Sequence, residues 1–279
     1  MVTLTRRKMI NVFGIGLIVV LSLVALVPLF SVLFYVVSHG WRSLSLEFFT
    51  QLPAPVGELG GGIGNAIVGS IILIGMASLI GVPIGLGMGI LLSEYRQLRI
   101  SRLLGSVVDL LGSIPSIVIG LFAYAIVVKP FKGFSAHAGA IALAMLMIPI
   151  VARTTEEMLK LVSQTVREAG LALGLPKYKV ILQIVVKGSL SSIMVGVILA
   201  VARIAGETAP LLFTAFASQQ WFQGLNQPIA SIPVQIYTYA ISPYTDWHDK
   251  AWGGALILIL MVLGLNLIIR LFLARRNRS

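Results

Sequence analysis

Arg203 and Glu207 stand inside a run that is otherwise apolar, residues 196–213. Four residues apart, they share one face of a helix. A helix starting near Ser189 would carry Arg203 about 21 Å from that end at 1.5 Å per residue. In hydrocarbon a lone central Arg costs about 2.5–3.5 kcal/mol on insertion scales, so pairing is expected, and an intramembrane ion pair is a functional suspect by default. Two readings stay open. The pair neutralises itself and fixes the helix rotation, or Arg203 turns its planar fork toward a passing anion while Glu207 compensates when the site is empty.

A second constellation lies where the chain turns polar, between Arg153 and Lys187. Thr165-Val166-Arg167-Glu168 reads as a capping box, with Thr165 as N-cap and Glu168 reaching back to its amide. Gly174 suits a left-handed helix stop and Pro176 the first turn of a following helix. The spacing therefore predicts a two-turn helix over 166–173. Thr154-Thr155-Glu156-Glu157 is a similar box expected to start the helix leading into it. Glu168 either caps its helix or does something more; local pattern alone leaves both open. Asp109 is expected near the start of a span, where a helix N-terminus favours an anion.

Other chemistries find no residues. There is no cysteine, which removes disulfides and thiolate catalysis. His39, His137 and His248 are scattered and suggest no metal site. No G-x-x-x-x-G-K-[ST] phosphate loop occurs, and Gly85-Leu86-Gly87-Met88-Gly89 sits inside an apolar run with no strand before it. Nucleotide hydrolysis is therefore not expected of this chain, and no catalytic residue is assigned.

The elements that must position these groups follow from composition. The chain of 279 residues is 57% hydrophobic and 11% charged, far from a soluble domain's balance. Apolar runs of about 20 residues recur, each enough to cross the bilayer as a helix, and unpaired backbone in lipid excludes open strands. The expected fold class is an all-α membrane protein with six transmembrane helices, over about 11–37, 65–92, 104–128, 137–152, 189–212 and 251–273. The fourth is the shortest. The first follows Arg6-Arg7-Lys8 and exceeds the roughly 7–15 apolar residues of a signal peptide, so it is expected to be a retained span. Pro115 and Pro149 are expected to bend spans. Gly81, Gly85 and Gly89 form a small-residue face for close helix packing.

The net charge of +11 need not mean nucleic acid, because the cations lie in alternate loops. Arg6, Arg7 and Lys8, then Arg96, Arg99 and Arg102, then Arg153, Lys160, Arg167, Lys177, Lys179 and Lys187, then Arg270, Arg275, Arg276 and Arg278 fall on one side. Only Arg42, Lys129, Lys132 and Lys250 fall on the other. By the positive-inside rule the first set, with both termini, is cytoplasmic. The opposite loops hold a glycine cluster at 57–64 and the aromatics Trp41, Phe48, Phe49, Trp221, Phe222, Tyr237, Tyr239, Tyr244 and Trp247, which suit an interfacial belt. Residues 229–240 are expected to form a short helix on that outer surface. No repeat or linker divides the chain, so 1–279 reads as a single transmembrane domain with a cytoplasmic segment at 153–188.

That segment resembles the EAA loop of bacterial ABC-importer permeases: Glu168, Ala169, Gly170, then Gly174 and Ile184 fall in register, with Val186 and Lys187 at the Leu-Pro positions. Residues 202–210, Ala-Arg-Ile-Ala-Gly-Glu-Thr-Ala-Pro, are similar to the fifth span of permease subunits of phosphate-specific ABC importers. Residues 61–67, 92–95, 228–230 and 242–243 fit that family too, which tolerates lysine at the EAA-loop proline. The resemblance implies a type I (MetI-like) permease fold in a bacterial inner membrane, with a coupling helix between spans four and five. Glu168, Ala169, Gly170, Leu171, Ala172, Leu173 and Gly174 would contact the ATPase subunit, PstB, present in two copies. A homologous permease, PstC, would complete a pathway for inorganic phosphate, which an external binding protein, PstS, would deliver. Arg203 and Glu207 would line or gate that pathway. ATP and Mg would be bound by the ATPase, with no cofactor in this chain. A permease for molybdate or sulfate would keep the EAA loop without needing residues 202–210. An ion-driven carrier or intramembrane enzyme would have only Arg203, Glu207 and Asp109 to work with.

Overall fold

The computed structural model describes residues 2–55, 58 and 60–276, with side chains between 6 and 271. Gly57 of the glycine cluster and Arg278 of the basic tail lie outside the described residues, as do the side chains of Arg275 and Arg276. No strand occurs among the described residues.

Helix α1 (Val2–Gly40) is apolar all round and is exposed over nearly its whole length, as a helix surrounded by lipid or by another chain would be. It meets the rest of the protein only near its end, where a Cβ on Gly40 would lie 2.6 Å from the carbonyl oxygen of Trp252. A short α2 (Leu46–Thr50), capped by the Ser45 hydroxyl, leads to α3 (Gly64–Glu94).

Next come α4 (Arg99–Ser113) and α5 (Ser116–Ala123). The second continues through a π-helical stretch, Tyr124–Val128, into the single turn α6 (Lys129–Phe131). The expected span 104–128 is thus two helices bent by 108°. The bend falls at Ile114-Pro115. Proline supplies no N–H and pushes the residue before it out of the helical region, and Ile114 is extended at φ −71°, ψ 132°.

Helix α7 (Ala136–Lys160) is the central rod. It runs eight residues past the expected end at 152 and straight through Pro149, which does not break it. Its alanines at 136, 138, 140, 142, 144 and 152 are all buried, and small side chains let several helices approach at once. Down its length α3 fits closely: a Cβ on Gly81 would meet Met147 at 3.1 Å, on Gly85 Val151 at 2.7 Å, and on Gly89 Thr155 at 2.5 Å. The glycine face therefore does what its spacing predicts.

Beyond α7 come α8 (Gln164–Ala172), the turn α9 (Lys177–Lys179), a π-helical stretch Val180–Val186 and α10 (Lys187–Ala205), the last three forming one continuous rod. It starts twelve residues before the expected 189 and stops at Ala205 rather than 212. Then follow α11 (Ala209–Thr214), α12 (Ile232–Ala240) and α13 (Thr245–Arg276). Among the described residues, five single rods are long and apolar enough to cross a membrane, and the bent α4–α6 unit is a sixth candidate. Helix α12 does not lie on the outer surface. Ile232 and Tyr239 are buried with Phe48, Ile63 and Ile257, Val234 is buried in the core around Leu73 and Leu143, and Ser70 of α3 accepts a 2.8 Å hydrogen bond from the Ile232 amide. Phe48 and Tyr239 are thus core residues rather than belt anchors.

Candidate functional site

The polar segment after α7 folds into a short helix with a defined stop. Helix α8 begins at Gln164 after Ser163, whose side chain makes no capping hydrogen bond. Thr165 is accordingly inside the first turn and the expected capping box does not form; the start lies two residues earlier than its pattern suggests. Thr154 and Glu156 likewise start nothing. They lie within α7, where the Thr154 hydroxyl donates to the Ile150 carbonyl at 2.8 Å. The stop is as expected. Gly174 takes φ +80°, its amide donates to the Leu171 carbonyl at 2.9 Å, and the Leu175 amide donates to the Gly170 carbonyl at 3.3 Å, the paired bonds of a Schellman motif. Pro176 stands at the N-cap of α9, one position before the helix.

What holds α8 in place is Arg167. Its Nε donates to the Glu94 carboxylate at 3.1 and 3.2 Å and its Nη2 to Glu94 Oε1 at 2.6 Å. Nη2 also donates to the Leu159 carbonyl at 2.8 Å, while Nη1 reaches the Val162 carbonyl and, at 3.4 Å, that of Ser163. The side chains of Arg167 and Glu94 are 15% and 5% exposed. One planar group thus joins the last residue of α3, the end of α7 and the first turns of α8. Sequence reasoning missed this pair; Arg167 stood beside Glu168 and Glu94 in the matched stretch 92–95, but nothing local joins residues 73 positions apart.

The rest of α8 turns outward. Gly170 is buried against Val180 and Ile184, whose methyls would lie 2.9–3.1 Å from a Cβ there, so this position of the Glu-Ala-Ala pattern sits closer than alanine allows without adjustment. Glu168, Ala169, Leu171, Ala172, Leu173 and Gly174 are exposed. Leu173 is 81% exposed and Val166 and Leu171 are exposed too, an apolar surface on a rigid helix.

Asp109 is not at a helix start. It lies in the second half of α4 and accepts from Arg153 of α7, Nη2 at 2.5 Å and Nε at 2.9 Å. Arg153 also pairs with Glu156, which pairs with Lys160, each at 2.5 Å. This ladder explains why α7 continues past its apolar part: its polar residues are paired across to α4 and along their own face.

Arg203 and Glu207 come together, but loosely. Arg203 is on the last turn of α10, and the stretch from Ser189 to it is unbroken helix. Glu207 lies beyond, in the break at 206–208. The break has a readable cause, since the ring of Pro210 would clash with the Gly206 carbonyl four residues earlier in a continuous helix. The pair is 3.8 Å apart, with Arg203 56% and Glu207 18% exposed.

Residues 81–278 match the family model for the binding-protein-dependent transport system inner membrane component. The phosphate transport system permease protein PstA of Yersinia pestis is 46% identical over 97% of this chain and 92% of its own length. Its namesake in Haemophilus influenzae is also 46% identical, over 97% and 96%, and PstA 1 of Mycobacterium tuberculosis strain H37Rv is 36% identical over 98% and 91%. The chain belongs to the PstA family of these permeases. It is a multi-pass inner-membrane protein. The fold agrees: an inward-facing structure of the MetNI methionine ABC transporter superposes with a TM-score of 0.64 at 16% identity, covering 76% of this chain and 95% of that one.

The matched region 81–278 takes in both arginine sites, and α1 falls outside it. Arg203 lies near the end of the rod that begins after α8.

Proposed function

We propose that this chain is one of two permease subunits in an ATP-driven importer that carries inorganic phosphate intact from the external face to the cytoplasm. The near full-length identity to phosphate permeases carries this reading. With the bent α4–α6 unit counted as one span, six crossings put both termini and α8 in the cytoplasm, where the cations concentrate. Residues 168–174 engage the ATPase subunit, PstB, two copies of which bind ATP and Mg. A homologous permease, PstC, covers the face bearing Arg203, and the binding protein PstS delivers phosphate from outside. This chain needs no cofactor of its own.

The chemistry is one of charge exchange. As closure of the ATPase pair displaces α8, the rods tilt and the α10 end opens to the pathway. Arg203 then offers N–H donors to the phosphate oxygens, and Glu207 takes the guanidinium back when the anion leaves, so that binding stays weak enough for release.

The test is uptake of labelled phosphate by vesicles holding the isolated complex, with PstS outside and ATP inside, against excess molybdate and sulfate. Uptake that needs ATP and resists both competitors supports the reading. Uptake by this chain alone, or displacement by molybdate, defeats it.

A further inference from the structure

We propose that Arg167 and Glu94 are positioning residues for energy coupling: the latch through which a displacement of α8 reaches α3 and α7. The proposal rests on the reading of α8 as the ATPase contact and adds the element that receives its motion. Helix α8 makes two kinds of attachment to the bundle. One is apolar, Gly170 against the side-chain ends of Val180 and Ile184. Such a contact has no direction and yields to small shifts. The other is directional. Arginine has five N–H donors in a rigid fork, and here all three nitrogens donate, to the Glu94 carboxylate and to the carbonyls of Leu159, Val162 and Ser163.

The receiving side is stiff as well. Glu94 is the last residue of α3, and α3 is seated on α7 with Gly81, Gly85 and Gly89 pressed directly against Met147, Val151 and Thr155. A push on α8 therefore arrives at α3 and α7 together, as one body, and α10 follows through the Gly174–Pro176 turn. Both side chains are largely buried although they line an open cavity, and all three guanidinium nitrogens stay engaged. A lysine at 167 would keep the charge but lose the fork that serves the carboxylate together with the carbonyls of Leu159, Val162 and Ser163.

Arg167→Lys, Glu94→Gln and the exchanged pair Arg167→Glu with Glu94→Arg distinguish a latch from a mere pin. Each is made in the complete complex, and the ratio of PstS-stimulated to basal ATP hydrolysis is read beside PstB co-purification and phosphate uptake. The latch predicts that both single variants still co-purify with PstB, while the stimulation ratio and uptake fall roughly tenfold, within the usual range of coupling free energies. The exchanged pair regains part of the ratio, because the carboxylate–guanidinium link returns although the carbonyls of Leu159, Val162 and Ser163 lose their donor. Normal ratios in both single variants overturn the proposal. So does loss of PstB co-purification in both, which would make the pair a prop for the docking surface. Failure of the unaltered complex to import phosphate would instead defeat the transport reading, so the two failures are separable.

Discussion

Two arginine–glutamate pairs of the same residue types, one at the end of α3 and one at the end of α10, are treated differently by the protein. Arg167–Glu94 is drawn tight, with contacts down to 2.6 Å and further donation to backbone carbonyls. Arg203–Glu207 is left at 3.8 Å, half exposed, across a break in the helix. Residue type does not set what an ion pair does; enclosure and the number of satisfied donors do. A pair with every guanidinium nitrogen engaged is a joint, and a pair with donors left open is what the proposed anion exchange requires.

The largest expected effect breaks this contrast at its tight end. Glu94→Ala leaves the buried Arg167 guanidinium without its counter-charge, and removing one partner of a buried pair typically costs about 3–5 kcal/mol. The thermal midpoint of the detergent-solubilised complex should fall by several degrees. An unchanged midpoint would mean that the carbonyls of Leu159 and Val162 suffice and that the joint is weaker than its geometry.

Arg203→Gln attacks the open end, and its effect should be on transport instead. Uptake is expected to fall at least roughly tenfold, equivalent to about 1.4 kcal/mol in the rate, with the midpoint within experimental scatter of the parent. Normal uptake in an assembled complex would return Arg203 to the bland alternative of fixing helix rotation.

How much of this was legible in the sequence depended on whether the cause was local. The glycine face of α3 could be read from spacing alone, since it needs only a helix and a neighbour. Gly174 as the stop of α8 was equally local. The start of α8 was not, because Thr165 has the residue type of a cap, whereas the helix begins at Gln164 after a Ser163 that makes no side-chain capping bond. Span four was drawn short because its end is polar, yet those polar residues are matched by Asp109 of α4, a partner 44 positions away. Pro210 is a local signal for that break, since its ring disfavours the continuous helix through Gly206 that the shared-face argument for Arg203 and Glu207 assumed, although α7 accommodates Pro149. The pair survives that correction only because Glu207 folds back within 3.8 Å.

A smaller effect sharpens the comparison. Glu207→Gln removes the charge from a pair that is already loose at 3.8 Å, and weakly held pairs contribute about 0–1 kcal/mol. The midpoint should move by no more than a degree or two. A loss as large as that of Glu94→Ala would show that the two pairs are energetically alike and that exposure was a poor guide.

The smallest effect tests whether the polar joint is the main attachment of α8. Gly170→Ala would bring a methyl to 2.9 Å from Ile184 Cδ1 and 3.0 Å from Val180 Cγ2. The isoleucine end can rotate away, whereas the branched valine is stiffer at χ1. Against this strain stands a gain of about 1 kcal/mol in helix propensity for alanine over glycine. The two nearly cancel, so both midpoint and phosphate uptake should stay close to the parent. If the midpoint instead drops by as much as Glu94→Ala lowers it, α8 is gripped as firmly on its apolar side as through Arg167, and displacement would then be shared with α10 directly instead of passing first into α3 and α7.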